Sequence, residues 1–304
     1  MYFSNKDIIK LTMDISSTDQ YGKGYDIMLY WYITKTCNFS CPQCAGGALK
    51  LTGDNAPEVI DMENFRNFLS KTNKTIRFSF TGGEPLLVKN IIEVLKEITK
   101  KNYFSMVTNL VNTRVAQLVE QINPERSTFI AASAHIGQLK RRGLLATFLK
   151  NAMLIKKSGF NLFITEVAYP FILQKVEEYK EIFHDTGFDL DFMAFRGEWK
   201  GKKYPDAYTR EEIEIFGLEK SESLRPDIFS NKGMPCIAGY NSAVIMNDGN
   251  IFPCFQIFKK IGNIAQEISL SDRLINCPAD FCGCPVNVFE PYLYEKAMNE
   301  CKIR

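Results

Sequence analysis

Six short apolar runs, separated by segments with helical periodicity, constrain the fold of this 304-residue chain most strongly. The runs are continuous and rich in β-branched and aromatic residues, which is typical of strands buried on both faces. They lie at 27–34, 76–80, 103–108, 127–133, 161–169 and 189–195. Helical periodicity is clearest in the segments 88–101, 113–122, 144–159 and 174–187. This alternation predicts parallel βαβ units, in which functional residues follow the C-terminal ends of the strands.

Composition excludes some partners and compartments. The chain has 37 Lys and Arg residues against 35 Asp and Glu residues, so its net charge of +2 offers no strong field for nucleic acid or anionic membranes. No signal-like segment opens the sequence, and no apolar stretch approaches the roughly 18 to 20 residues of a membrane span. We therefore expect a cytoplasmic protein without nucleic-acid or membrane partners. Nine cysteines in a reducing compartment are better explained as metal ligands than as disulfides.

The pattern divides the chain into four segments. Residues 1–26 form a polar lead-in, and residues 27–197 hold the predicted strands and helices. Residues 198–233 form a connector or lid, whose basic sequence at 200–204 is either a solvated loop or a cap over the site. Residues 234–304 form a small cysteine-rich unit that opens with a predicted β-hairpin, its turn at Asp248 and Gly249.

Three cysteines follow the first predicted strand in a single short loop. Cys37, Cys41 and Cys44 have the spacing C-x3-C-x2-C. A structural zinc site would need a fourth Cys or His nearby, yet the next cysteine is Cys236 and neither histidine is close in sequence. Three thiolates fit an iron-sulfur cubane with one iron left open, and a zinc site or an incidental cluster of thiols is the alternative.

Two motifs together resemble those of the radical S-adenosylmethionine (SAM) superfamily. One is the cysteine spacing after strand one, and the other is the sequence TGGEP at 81–85 after strand two. The resemblance implies a partial (β/α)6 barrel and a 4Fe-4S cluster on Cys37, Cys41 and Cys44. It also implies SAM chelated by the open iron and cleaved by one electron to a 5′-deoxyadenosyl radical.

The same resemblance implies a set of SAM contacts. Glycines at 82 and 83 would allow close backbone approach, and Glu84 would bind the SAM amino group. A tight turn without ligand contacts is the alternative for this segment. The predicted cofactor-binding residues are Gly82, Gly83, Glu84, Pro85, Thr108, Asn109 and Ser133.

A second group of cysteines lies near the C-terminus. Cys236, Gly249 and Cys254 have the spacing C-x12-G-x4-C, which resembles the opening of the SPASM and Twitch extensions of radical SAM enzymes. This resemblance implies one auxiliary 4Fe-4S cluster, because six cysteines are too few for two four-cysteine clusters. The predicted ligands are Cys236 and Cys254 with two of Cys277, Cys282 and Cys284, the last two slightly favoured because Gly283 separates them. A zinc ribbon is the alternative, and Cys301 is predicted to be a bystander.

Four polar residues are candidates for handling substrate. His135, after strand four, is either a proton acceptor at the barrel mouth or a structural histidine. Glu166, Arg196 and Glu198 are predicted to point inward, toward SAM or substrate, with structural ion pairs as the alternative.

The predicted function is a radical SAM enzyme of oxidoreductase or epimerase/lyase type. Its expected substrate is a sugar-like or cyclitol-like small molecule, with the auxiliary cluster assisting electron transfer or substrate binding. Only 36 residues precede Cys37, which modestly favours a small molecule over the alternative, a maturase that crosslinks or epimerises a ribosomally made peptide. An electron carrier without catalysis is the third class. A one-electron reductant such as flavodoxin or ferredoxin is the expected protein partner.

Overall fold

The computed structural model describes residues 24–44, 59–219, 221, 224, 231–280 and 290–302. The strands are β1 Ile27–Thr34, β2 Ile76–Gly82, β3 Tyr103–Thr108, β4 Ser127–Ser133, β5 Leu162–Ala168, β6 Asp191–Ala194, β7 Gly197–Trp199, β8 Lys202–Tyr204, β9 Pro235–Cys236, β10 Ser242–Ile245, β11 Asn250–Phe252, β12 Gly262–Asn263 and β13 Ile275–Asn276. The α-helices are α1 Met62–Ser70, α2 Ile91–Thr99, α3 Arg114–Gln121, α4 Ile136–Arg141, α5 Leu145–Lys157, α6 Val176–His184, α7 Arg210–Phe216 and α8 Pro291–Lys302.

One sheet of nine strands organises the described residues, in the order β12-β11-β10-β1-β2-β3-β4-β5-β6. The seven strands from β10 through β6 are parallel, whereas β11 and β12 run antiparallel at one end. All six predicted strands are present, each paired in parallel with the next along the chain. The predicted α/β class is therefore confirmed, and the C-terminal ends of β1 to β6 meet at one edge of the sheet.

The strand residues alternate between two faces, and one face carries the main core. Leu29, Phe78, Phe104, Ile130 and Ile164 are buried on that face. The apolar sides of the intervening helices α2, α3, α5 and α6 pack against it. This arrangement fixes which strand residues face the helices and which face the opposite side of the sheet.

The C-terminal unit extends this sheet. Its strand β10 lies parallel to β1, with Met28 opposite Ser242 and Trp31 opposite Ile245. The division of the chain near residue 234 stays a prediction. The hairpin between β10 and β11 is present, but only Gly249 has a positive φ, +80°. Its N–H donates to Met246 O at 2.8 Å, so the turn is one residue longer than the predicted two-residue turn.

A second apolar cluster lies on the opposite side of the sheet from the main core. Leu293 and Ala297 of α8 pack there against Tyr25 and Met28. Beside this cluster, Arg77 of β2 pairs with Glu290, which directly precedes α8. The hydroxyl of Tyr25 donates to Glu290 Oε2 at 2.7 Å and accepts from Arg77 Nη1 at 3.0 Å. Both charges are buried, so α8 is fastened to the sheet by a desolvated ion pair.

The predicted connector contains regular structure. Strands β7 and β8 pair as a separate two-stranded sheet, and α7 follows them. Helix α7 begins with a capping box between Thr209 and Glu212 and ends at Gly217, which has a φ of +68°. Among the described helices, none is long and apolar enough to cross a membrane.

Candidate active site

The cysteine loop, residues 35–44, is held against the end of β2 by backbone hydrogen bonds. Gly83 N donates to Thr34 O at 2.8 Å, and Glu84 N donates to Thr36 O at 2.9 Å. Gly82 has a φ of +137°, and a Cβ atom on Gly83 would lie 2.1 Å from Thr36 O. A side chain at residue 83 would therefore force the two segments apart. The glycines allow the backbone of the cysteine loop to approach closely, and their predicted contact with SAM stays a prediction.

Glu84 is completely buried and joins the ends of β2 and β3. Its carboxylate accepts hydrogen bonds from Leu86 N at 2.9 Å, Thr108 Oγ1 at 2.8 Å and Asn109 N at 2.7 Å. Burial raises the pKa of Glu84 to about 6, and these three donors oppose that rise. Asn109 in turn donates from Nδ2 to Asn38 Oδ1 of the cysteine loop at 2.7 Å. Three of the predicted SAM contacts are thus brought together, with Glu84 turned toward protein donors rather than toward an open site.

Helix α4 and the residue after it fasten the other side of the cysteine loop. Gln138 Nε2 donates to Ser40 O at 2.7 Å, and Arg142 Nη1 donates to Asn38 O at 2.7 Å. The Arg142 guanidinium lies 5.4 Å from the ring centroid of Phe39, which is buried. The sequence analysis missed both residues. The one sequence feature that marks Gln138 and Arg142 is that two polar side chains lie four residues apart in the segment after the fourth strand.

The three thiols of the cysteine loop influence one another electrostatically. Burial raises the pKa of Cys37 and raises that of Cys41 to about 12, and the charges of the other two thiolates add to the rise at Cys41. Cys44 N donates to Cys41 O at 3.1 Å, which closes a turn between the second and third cysteines. Clustered, half-buried thiolates of this kind need a nearby cation to be stable.

The donor set of the cysteine loop suits an iron-sulfur cluster by its chemistry. A 4Fe-4S cluster takes each thiolate on a different iron, whereas a structural zinc ion needs four ligands on a single centre. The loop offers three thiols, Cys37, Cys41 and Cys44, so these residues fit a cubane with one iron left open.

Glu166 is buried in β5 beside the start of α4 and the cysteine loop. The side chain lies on the same face of β5 as Ile164 and Ala168, which are buried in the main core. Its carboxylate accepts from Ile136 N at 2.6 Å, at the start of α4, and hydrogen-bonds the side chain of Gln43. Burial raises the pKa of Glu166 to about 7. Glu166 thus links α4 to the cysteine loop, and its predicted contact with SAM or substrate stays a prediction.

His135 lies beside the cysteine loop with a strained backbone. Its φ is +42°, and its ring contacts Phe39 edge-on at a centroid distance of 6.2 Å. Burial lowers the pKa of His135 to about 4, so the imidazole is neutral at physiological pH. Its Nδ1 atom is buried and has no hydrogen-bond partner among the described residues. The roles suggested for His135 stay predictions.

The remaining candidates lie at or after the C-terminal ends of β4 and β6. Ser133 ends β4, is half-buried and lies opposite Thr165 of β5. Arg196 and Glu198 follow β6, and both side chains are exposed to solvent. Their predicted contacts with SAM or substrate stay predictions.

Three cysteines of the C-terminal unit line one cavity. Cys236, Cys254 and Cys277 border it together with Tyr30 of β1. Strands β9 and β13 pair antiparallel and bring Cys236 opposite Ile275, two residues before Cys277. The fold thus gathers thiols that are up to 41 positions apart in sequence.

The remaining cysteines divide into two groups. Cys282 and Cys284 lie outside the described residues, so their place in the predicted set stays open. Cys277 is buried and lines the cavity, and the slight preference for Cys282 and Cys284 over it stays a prediction. Cys301 packs beside the second apolar cluster on α8, as expected of a bystander.

Comparisons with known proteins identify the fold. The structure of anSMEcpe with bound AdoMet superimposes with a TM-score of 0.55 at 16% identity, covering 91% of this chain and 99% of that one. Streptococcus suis SuiB bound to S-adenosylmethionine superimposes with a TM-score of 0.54 at 15% identity, covering 87% of this chain and 70% of that one. A family model described as a 4Fe-4S single cluster domain matches residues 21–134, which contain the cysteine loop and the GGEP segment. The chain therefore has the fold of these AdoMet-binding radical SAM enzymes.

The predicted partial-barrel fold is confirmed, and the match to a 4Fe-4S single cluster domain supports the predicted cluster on the cysteine loop. Another relative is the uncharacterized protein MJ0907 of Methanocaldococcus jannaschii. It is 26% identical over 102 residues, which are 30% of this chain and 34% of that protein. The match therefore spans about a third of that relative and adds no information on substrate.

Proposed function

We propose that this protein is a radical SAM enzyme that abstracts a hydrogen atom from a peptide substrate. When bound, the cluster and SAM supply one-electron cleavage of the S–C5′ bond, which yields a 5′-deoxyadenosyl radical. The observation that carries the proposal is the cysteine loop itself, in which three half-buried thiols sit at the C-terminal edge of a parallel sheet.

The surrounding residues hold this loop in place. Backbone donors at Gly83 and Glu84 fix its start, and Gln138 and Arg142 fix its middle. Four residues on two segments, the end of β2 and α4 with the residue after it, therefore position the loop before any cluster binds, which is the preorganisation that such a site requires. Phe39, buried between the first two cysteines, shields that part of the loop from water.

We favour a peptide substrate over the sugar-like substrate predicted from the sequence. The prediction of a small-molecule substrate depended on the short segment before Cys37. The anSMEcpe structure with bound Kp18Cys peptide covers 91% of this chain and 99% of that one, with a TM-score of 0.51. SuiB bound to its precursor peptide SuiA is a second peptide complex, covering 86% of this chain and 66% of that one. A protein of nearly the same extent thus binds a peptide, so a short N-terminal segment is no argument against peptides.

For the C-terminal unit we propose an auxiliary 4Fe-4S cluster on Cys236, Cys254 and Cys277. Their shared cavity supports this ligand set, with Cys282 or Cys284 as the fourth ligand. A zinc ribbon remains the competing assignment, and metal analysis separates the two. The proposed role of this cluster is to accept an electron from the substrate or to help bind it.

The test is anaerobic reconstitution followed by iron analysis and a SAM cleavage assay. We expect about eight irons per chain, and about four after Cys37, Cys41 and Cys44 are all replaced by Ala, because each cubane holds four. With a chemical reductant, the wild type should form 5′-deoxyadenosine and the triple variant should not. Cleavage that persists in the triple variant would disprove the assignment. Cys301→Ala is the matched control, expected to leave both iron content and cleavage unchanged.

A further inference from the structure

The hairpin formed by β7 and β8 is anchored at the edge of the sheet that carries the cysteine loop. Tyr208, which follows the hairpin, donates its hydroxyl to Ala168 O at 2.5 Å and accepts from Phe195 N at 2.8 Å. Ala168 ends β5, and Phe195 follows β6. Tyr204 of β8 packs on Tyr208, with ring centroids 4.8 Å apart. The hairpin is thus fixed beside the C-terminal ends of two strands.

The tip of the hairpin is a tight turn with a defined shape. Lys200 and Gly201 have φ angles of +49° and +75°, and Trp199 lies opposite Lys202 in the antiparallel register. Positive φ at both central residues is the signature of a type I′ turn, which matches the twist of the flanking strands. The lysines at this tip are therefore presented on a rigid support.

The hairpin concentrates positive charge. Four basic residues and one acidic residue lie between positions 196 and 203, a local net charge of +3, whereas the whole chain carries only +2. Lys200, Lys202 and Lys203 are exposed. Such a concentration attracts anionic groups and steers their approach.

An exposed aromatic residue lies next to these lysines. Phe171 has 67% of its surface exposed and contacts the ring of Trp199, with centroids 6.0 Å apart. Trp199 packs in turn on Tyr169, with centroids 4.9 Å apart. Aromatic side chains held in this way are frequent anchors in protein interfaces.

We propose that this basic-aromatic surface, made of Phe171, Trp199, Lys200 and Lys202, with Lys203 on the other face of the hairpin opposite Glu198, binds an acidic segment of the peptide substrate. The inference rests on the proposed function and adds a feature of the substrate, a run of Asp and Glu residues interrupted by an apolar side chain. Separate lysine charges along an open hairpin suit a row of carboxylates. A diphosphate is more often bound by converging donors at a glycine-rich loop or a helix N-terminus. The acidic segment would pair with the lysines while the apolar side chain packs on Phe171.

The experiment measures binding of fluorescein-labelled peptides to the reconstituted full-length enzyme by fluorescence anisotropy. The acidic peptide has about 12 residues, all Glu or Asp apart from two Leu residues within the run. The basic control peptide has the same sequence with every Glu and Asp replaced by Lys. We expect the acidic peptide to bind and the basic one not to bind. Affinity for the acidic peptide should fall about tenfold in the Lys200→Gln/Lys202→Gln/Lys203→Gln variant and should weaken with added salt.

A matched control changes three exposed lysines on helices elsewhere, Lys96→Gln/Lys150→Gln/Lys157→Gln, with the same loss of charge and no expected change in affinity. Phe171→Ser should lower the affinity for the acidic peptide that contains Leu. It should not change the affinity for a third peptide in which both Leu residues are replaced by Glu. Equal binding of both peptides, or equal losses in the two triple variants, would overturn the proposal. Displacement by inorganic pyrophosphate, or binding only to phosphatidylglycerol vesicles, would assign the surface to another ligand and also overturn it. Reductive SAM cleavage is measured in every sample, so failure of the proposed function is seen separately.

Discussion

Replacement of Glu84 by Gln tests whether this residue positions the site or contacts SAM. At about pH 8 the side chain is ionised, since its pKa is about 6. One carboxylate oxygen accepts from Leu86 N and Thr108 Oγ1, and the other accepts from Asn109 N. A glutamine amide has only one oxygen. Whichever way it is oriented, its NH2 group faces a backbone N–H at Leu86 or Asn109.

The expected loss of stability follows from this unpaired backbone N–H. A buried N–H left without an acceptor costs about 1 to 3 kcal/mol, and the side chain has no exposed surface through which water could replace the lost acceptor. We therefore expect Glu84→Gln to lower the free energy of unfolding of the cluster-free protein by about 1 to 3 kcal/mol. Urea unfolding, followed by circular dichroism under reducing conditions, measures this quantity.

The matched control is Asp61→Asn at the start of α1. Asp61 accepts from Glu63 N and Asn64 N with a single oxygen, in an exposed position, so an amide can keep both bonds. An unchanged unfolding midpoint for Glu84→Gln would refute the positioning role. A variant of wild-type stability that binds SAM more weakly would instead show that Glu84 contacts SAM directly.

Four further outcomes are expected. Gly83→Ala should lower the iron retained after reconstitution, because its Cβ would lie 2.1 Å from Thr36 O, and thermal unfolding should show a lower midpoint. Glu166→Gln should change the pH dependence of stability. The pKa of Glu166 in the folded protein is about 7, above that of an unfolded chain, so the folded state binds this proton more tightly than the unfolded state does. The stability of the wild type therefore falls as the pH rises through this range. Between pH 5 and 8, the free energy of unfolding of the wild type should fall by about 2 to 3 kcal/mol relative to that of the variant, measured by urea unfolding. Parallel pH profiles for the two proteins would show that the pKa of Glu166 is not raised in the folded state. Cys277→Ala should lose up to about four irons while Cys301→Ala loses none, and equal iron contents would remove Cys277 from the ligand set. Cys236→Ala with Cys254→Ala should stop substrate turnover but leave uncoupled SAM cleavage, checked beside the electron paramagnetic resonance signal of the first cluster.

Local sequence patterns predicted the strands because each run is long enough and apolar enough to be read without its neighbours. The cysteine loop and the GGEP segment were predictable for the same reason, since each motif is contiguous. The fastening of the loop by Gln138 and Arg142 depends on residues about 100 positions away, and the sequence carries no local sign of that contact. Long-range packing of this kind follows from topology, not from propensity.

The surroundings of Glu166 could not be predicted from the sequence for a different reason. In β5 both alternating sets, one with Ile164 and Ala168 and the other with Phe163 and Val167, are largely apolar. Period-two alternation therefore left the two faces of the strand indistinguishable, and a shift of one residue exchanges them. At the hairpin between β10 and β11, the pair Asp248 and Gly249 correctly indicated a turn. The identity of two residues does not define how many residues the turn contains, and this turn is one residue longer than expected.

The pairing of β10 with β1 has a consequence for how this protein could gain or lose its C-terminal unit. Without that unit, residues 28–31 of β1 would present a bare, apolar strand edge, a template for aggregation with other chains. Arg77 would keep its charge in a buried position and lose its partner Glu290. Truncation after residue 233 should therefore give insoluble protein rather than a working barrel. An ancestor without the unit would have needed a different way to cover that edge.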